Sequence, residues 1–437
     1  MRISEMQTMV PTASLLPASR LPRSFALQYA GLLVFMIGDG VEVGYLSPFL
    51  VQTGQTEHFV ALLFTAYGLA AALAAWFSGL LCDIFSSRTV MTAGLLFWVL
   101  PQILFLGVAI PAHSPTLLLL TYGLRGAGYP LFSYGLLTLL VTTVRQDRLG
   151  RAVGLFWFCF TCGLPTVGSI VAQLLLPVYG QYVTLWIALL GVGAGGVLAI
   201  LPLPATPRSQ KGSLKDIAPT LRETVRQIRH NPGVGLACIV RAVNSSATHG
   251  LIVFMPFFFT SRLGLSQDVW IRFLEIIFAS NIVFNLLIGF ASDYISWRQT
   301  VIWFGGIGSA LSCVGLYWIP LLYAQSSLFT VYASAAVFGM TLAGYVPLSA
   351  LTPSLLPDHK GIAMSLLNLG AGSSVWIGPF IVYAFEGAVG TQGIILIYAA
   401  LFLASAILTF FITPPPLTRP DRPLNSTAVP QPEGLPS

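Results

Sequence analysis

GLLCDIFSSR at residues 79–88 and GFASDYISWR at residues 289–298 carry the same spacing of glycine, aspartate and arginine. Gly79, Asp83 and Arg88 stand in the first copy; Gly289, Asp293 and Arg298 stand in the second, with Ser86 matching Ser296. Each copy closes an apolar run of roughly twenty residues, the length a helix needs to cross the hydrocarbon layer. The match extends outward from these segments. YGLRGAGY at 122–129 reads against FGMTLAGY at 338–345, and Gly54 mirrors Gly264. Two halves of one chain therefore repeat each other in parallel order.

Composition supports a membrane setting. Of the 437 residues, 55% are hydrophobic and only 8% charged, with a mean hydropathy of +0.81. Soluble domains carry about a quarter of their residues as charges, so this chain could not cover a water-facing surface. Apolar runs near 25–49, 59–82, 89–110, 116–140, 152–175 and 184–203 form a first set of six. A second six lies near 234–259, 271–291, 300–322, 328–351, 361–385 and 393–412. The alternating ten-residue strands of a membrane β-barrel are absent from the pattern. The expectation is an all-α membrane protein, twelve transmembrane helices in two pseudo-symmetric six-helix bundles, at 25–203 and 233–412.

Charge placement sets the expected orientation. With residues 1–24 inside, seventeen of the 21 Lys and Arg fall on the cytoplasmic side. Only Arg262 and Arg272 fall outside, while Arg125 and Arg241 lie within spans. This bias is the positive-inside rule, and it accounts for the formal net charge of +6 without nucleic acid. Both termini are thus expected in the cytoplasm, in an inner (cytoplasmic) membrane. The central loop, 204–232, includes a stretch at 214–230 that alternates apolar and basic residues and suits a helix on the membrane surface. The proline-rich tail 413–437 suits a disordered segment. Cys159 and Cys162 form a CxxC pair within a span, with no acidic or histidine neighbours to suggest a metal. No phosphate-cradling loop, nucleophile elbow or His/Glu cluster is present, so neither an ATP-driven pump nor an enzyme is expected, and no cofactor beyond a coupling proton.

A parallel duplication of six spans joined by a basic loop is the plan of major facilitator proteins, and the two Gly/Asp/Arg segments resemble degenerate copies of that superfamily's loop motif. Ile84, Ser86 and Ser87 replace motif residues in the first copy, so contacts assigned to those positions do not carry over. A narrower resemblance is to the polyol permeases that carry ribitol and D-arabinitol. FMIGDGVEVGYLSPFL (35–50), TAYGLAAALAAWFSG (65–79), YGLRGAGYPLFSYG (122–135), IVRAVN (239–244) and PDHKGIAMSLLNLGAG (357–372) carry it. The resemblance implies secondary active uptake of a sugar alcohol by alternating access, with proton symport and a solute site between the halves. One chain supplies both halves, so a monomer in the lipid bilayer is the expected working unit.

Asp39 and Glu42 are the acidic residues well inside a span. A charge at membrane depth costs at least a few kcal/mol, so it faces a partner or a wet cavity. Their spacing places both on one face of the first helix. Helix rise puts Asp39, Glu42 and Arg125 about 15, 10 and 13 Å below the outer surface, so the three share a depth. Asp39 or Glu42 is expected to bind the coupling proton while Arg125 tunes it; a permanent ion pair bracing two helices is the competing reading. Arg125 has no counterpart in the second half, where Thr341 stands.

A polyol needs hydrogen-bonding side chains and aromatic walls. Candidates are Arg241, Asn244, His249, Asn281, Asn285, Asn368 and Trp376, with Tyr129 and Tyr345 at matching repeat positions. His249 falls opposite Asp39 when the Gly54/Gly264 register is extended. Each of these could instead link helices, as polar residues in membrane bundles do. The alternative cargo is an organic anion such as a sugar acid, with Arg125 and Arg241 as carboxylate holders. A polytopic membrane enzyme or sensor is the remote alternative.

Overall fold

The computed structural model describes residues 25–144, 146–203, 217–356 and 360–413. The expected tail 1–24, residues 414–437 of the expected tail 413–437, and residues 204–216 of the central loop lie outside the described residues. Among those described, the chain is helical and crosses the expected membrane twelve times. Seven helical stretches are long and apolar enough to span, and two of these, Ala152–Ile200 and Ile362–Phe410, each fold back to make two passes. The folds are at Gly180 (φ 71°) and Gly390 (φ 65°). Only glycine adopts that backbone cheaply, so a helical hairpin turns there without a loop.

Positive-φ positions expose the duplication more sharply than the sequence does. Gly54 and Gly264, Ser86 and Ser296, and Gly180 and Gly390 form three pairs, each 210 residues apart. Equivalent turns in the two halves thus keep one register across most of the chain. The connection after the second span shows why the turn is sharp. Ser86 breaks the helix at φ 89° and its hydroxyl accepts from the Thr89 amide, capping the third span.

Three spans are less regular than expected. The first is Ala26–Gly40 followed by Leu46–Gln52, with turns between. The fourth is Pro115–Arg125 followed by Gly128–Thr143, interrupted at Gly126. The tenth is Leu328–Leu342 followed by a 3-10 turn at Ala343–Tyr345 and then Leu348–Ser354. Breaks in the first and fourth spans fall beside Asp39, Glu42 and Arg125. Interrupted helices at mid-membrane are tolerated where they are buried in protein or line a cavity.

Close helix approach explains the Gly126 break. A Cβ there would collide with the backbone of Tyr67 on the second span. Gly193 in the sixth span, by contrast, faces open space. Gly126→Val is therefore expected to lower the stability of the purified protein by about 2 kcal/mol, while Gly193→Val changes it little. Thermal melts of both variants in detergent check this; equal melting temperatures would contradict the packing described.

The helix expected at 214–230 is present as Ile217–His230. Arg222, Arg226 and Arg229 lie on one side, and Ile228 packs toward the core of the second half. The amphipathic form is the one that suits a membrane surface.

The two halves touch firmly at one end. Ser47 donates to the Val253 carbonyl (2.7 Å), and Trp270 donates to the Gly44 carbonyl (3.0 Å). Gln181 donates to Gln267 (3.2 Å), and His58 stacks on Tyr383 with ring centroids 4.2 Å apart. All four contacts lie toward the turns at Gly54 and Gly264. They close that end, and the central cavity lies deeper, toward the end that bears Ser86 and Ser296.

Candidate functional site

A cavity of about 390 Å³ sits between the halves, in the range that suits small solutes. Its two walls differ in kind. The first half supplies Asp39, Glu42 and a largely aromatic surface from Phe64, Tyr67, Tyr122, Tyr129, Tyr134, Trp157 and Phe160. The second half supplies Arg241, Asn244, Ser245, Thr248, His249, Asn281, Asn285 and Ser349. One wall thus combines carboxylates with aromatic rings, and the other carries the arginine, the amides and the histidine.

Asp39, Glu42 and Arg125 meet at that aromatic wall, as their shared depth implies. The two carboxylates are held very differently. Both guanidinium amino groups of Arg125 donate to Glu42, Nη1 to Oε2 at 2.8 Å and Nη2 to Oε1. Tyr122 donates a third hydrogen bond to Glu42 Oε1 at 3.0 Å. Asp39 accepts one bond from the indole of Trp98 at 2.6 Å and stays 3.9 Å from Arg125. Bidentate arginine–carboxylate pairs are the strong, geometrically fixed ones. Glu42 therefore neutralises Arg125, and Asp39 is the carboxyl whose charge the cluster leaves unbalanced.

Arg125 is almost wholly enclosed, at 1% exposure. Its Cζ lies 4.5 Å from the Tyr122 ring centroid, 4.8 Å from Trp98 and 5.4 Å from Tyr67. Nη1 also donates to Gln102 Oε1 at 2.6 Å. Aromatic faces attract a cation, and a guanidinium stacks on them better than an ammonium does. Trp98, Gln102, Tyr122 and Tyr67 were not among the residues singled out in the sequence. Gln102 offered a signal, as an amide one turn after Trp98 within an apolar span.

The substrate candidates divide. Tyr129, Arg241, Asn244, His249, Asn281 and Asn285 all line the cavity. Asn281 donates to the Gly339 carbonyl (3.1 Å) and accepts from Asn285 (3.2 Å), so this pair both faces the cavity and ties helices together. Tyr345 also borders the cavity but is 1% exposed, with its hydroxyl bonded to Ser405 at 2.6 Å. Like the asparagine pair, it both borders the cavity and ties helices together.

Trp376 and Asn368 are not among the residues that line the cavity. The eleventh span turns Ala371, Gly372, Ser374, Val375 and Pro379 to the cavity. Trp376 lies beside that stripe, with its ring against Phe380 at 5.9 Å, and Asn368 lies below it. Helix rotation decided both, and amide or indole chemistry alone could not reveal it. Of the loop-motif residues, Arg298 lies over the Phe410 ring at 5.1 Å, and Arg88 is part-buried next to the Ser86 turn. Gly79 meets nothing that would exclude a larger residue. The surroundings of Asp83, Gly289 and Asp293 lie outside the described side chains.

Known proteins share this architecture. The Major Facilitator Superfamily model matches residues 29–281 and 274–434. The chain belongs to the major facilitator superfamily. An α-ketoglutarate permease of Bacillus subtilis (strain 168) is 41% identical over 410 residues, 93% of each chain. A ribitol transporter of Klebsiella pneumoniae is 33% identical, covering 90% of this chain and 92% of the relative. A D-arabinitol transporter of the same organism is 34% identical, covering 90% and 93%. The crystal structure of a nucleoside transporter, NupG, superposes with a TM-score of 0.70 at 15% identity, over 89% of this chain and 99% of that one. This major facilitator protein is thus a multi-pass membrane transporter that carries a small molecule, and not an enzyme.

Proposed function

We propose that the protein is a proton-coupled symporter that imports a small organic acid across the cytoplasmic membrane by alternating access. Arg241 carries this reading. It faces the cavity, and among the described residues it has no carboxylate partner. A cation inside a membrane bundle is expensive unless something balances it. Arg125 is already balanced by Glu42, so Arg241 is the cation left for a carboxylate cargo. The permease for α-ketoglutarate, 41% identical to this chain, is named for a cargo of this class.

Coupling rests on Asp39. Its carboxylate faces the cavity and the cluster leaves its charge unbalanced, so a proton taken up there removes a costly charge. Glu42 and Arg125 form the fixed ion pair that shapes the pocket around it. Return of the empty carrier and passage of the loaded one then differ in the charge buried between the halves. The carrier works as a monomer with both termini in the cytoplasm, and the closed end described above faces outward.

A pentitol is the second reading, favoured by the amide pair Asn281 and Asn285 and by the ribitol and D-arabinitol relatives. Arg241 itself lies in IVRAVN, one of the segments that resemble polyol permeases, and a guanidinium also donates to hydroxyls. Uptake of labelled α-ketoglutarate, ribitol and D-arabinitol by cells lacking such carriers separates the readings. Accumulation of the acid, abolished by a protonophore and reduced at least tenfold by Arg241→Gln, is the expected result. Accumulation of a pentitol alone would reverse the order of the two readings.

A further inference from the structure

The seventh span displays one continuous polar stripe to the cavity. Arg241, Asn244, Ser245, Thr248 and His249 all line it, at helical spacings of three, four, seven and eight. Arg241 can only donate hydrogen bonds. His249 is different. Its Nδ1 lies 2.8 Å from the Ser245 carbonyl oxygen, which can only accept, so Nδ1 carries the hydrogen. In the neutral ring Nε2 is then a lone pair, an acceptor for an O–H group. A neutral ring is the economical state at membrane depth, where a charge needs a partner.

One helix face thus offers a cationic donor at one end and a neutral acceptor at the other, with an amide and two hydroxyls between. Eight residues of helix separate the ends by about 12 Å along the axis, and His249 leans back along the stripe toward Arg241, as its contact with the Ser245 oxygen shows. We infer that the cargo is a linear hydroxy acid of five or six carbons, an aldonate. Its carboxylate binds Arg241, its inner hydroxyls bind Asn244, Ser245 and Thr248, and its terminal hydroxyl donates to His249 Nε2. This rests on the organic-acid reading above and sharpens it. Such a solute shares its carboxylate with a keto acid and its hydroxylated chain with a pentitol, the two cargoes for which the relatives are named.

The test uses the full chain in proteoliposomes with an imposed proton gradient. Initial uptake is measured for D-arabinitol, D-arabinonate and D-arabinarate, which differ only at their chain ends, with the ribo series and α-ketoglutarate alongside. The aldonate of at least one series should be taken up at least about tenfold more efficiently than its alditol and its dicarboxylate. Arg241→Gln should bring the aldonate-to-alditol ratio close to one. His249→Phe should slow D-arabinonate while leaving its 5-deoxy analogue unchanged. The comparison among solutes on the unaltered protein stands even if a variant fails to fold.

An alditol carried as well as its aldonate overturns both this inference and the organic-acid reading. A dicarboxylate or α-ketoglutarate carried best overturns the hydroxyl end alone, because it requires a cationic His249, and leaves the organic-acid reading standing. No uptake of any probe by protein with a cooperative thermal melt overturns both.

Discussion

Asp39→Asn is expected to abolish accumulation of cargo against a gradient while leaving exchange across the membrane measurable. The asparagine keeps an oxygen for the Trp98 indole, so the local hydrogen bond at 2.6 Å survives. It cannot carry a proton, so net uphill movement loses its drive while a loaded carrier still shuttles. Counterflow in proteoliposomes at equal pH on both sides measures exchange, and uptake under a proton gradient measures drive. Loss of drive by about a hundredfold with exchange within about threefold of normal is the expected pattern, a difference of roughly 2 to 3 kcal/mol in the coupled step. Unchanged accumulation would move the proton to another group.

Glu42→Gln should fail in a different way. Glu42 accepts both amino groups of Arg125 and the Tyr122 hydroxyl, in a site that leaves Arg125 1% exposed. Removing its charge strands a buried guanidinium, and breaking a buried pair from one side costs about 3–5 kcal/mol. Asp39 at 3.9 Å from Arg125 could compensate only by giving up its separate role. The variant should lose most of its folded yield and melt well below the parent. Replacing both partners, Glu42→Gln with Arg125→Gln, should restore much of the stability without restoring transport, since neutral partners of similar shape leave no stranded charge. Thermal melts of the two variants beside Asp39→Asn distinguish the roles: only Asp39→Asn should melt like the parent. If Glu42→Gln also melts normally, the ion pair does not brace the fold.

Much of the fold was legible because it follows from solvent. A chain with 8% charge and repeated twenty-residue apolar runs has few alternatives to a helical bundle, and the Gly/Asp/Arg copies at 79–88 and 289–298 disclosed the duplication. The breaks in the first and fourth spans were not legible. Gly40 and Gly126 look like ordinary packing glycines until the facing backbones of Leu164 and Tyr67 are in place. The meeting of Asp39, Glu42 and Arg125 followed from depth alone. The unequal treatment of the two carboxylates did not, because it depends on Trp98 and Gln102 arriving from the third span. Cavity residues on the seventh and eighth spans were found by their polarity. Tyr345 on the tenth borders the cavity as well, whereas Asn368 and Trp376 on the eleventh are not among its lining residues, because rotation about the helix axis decides which wall a side chain faces.

Proton movement itself tests the central claim most directly. Proteoliposomes holding the full-length protein and a trapped pH dye, with no imposed gradient, receive an inward gradient of a carried solute. The internal pH should fall as the labelled solute enters, at a matching rate, and Asp39→Asn should abolish the fall. Solute entry with no change in internal pH, at full rate, would contradict proton coupling and leave the protein a facilitator.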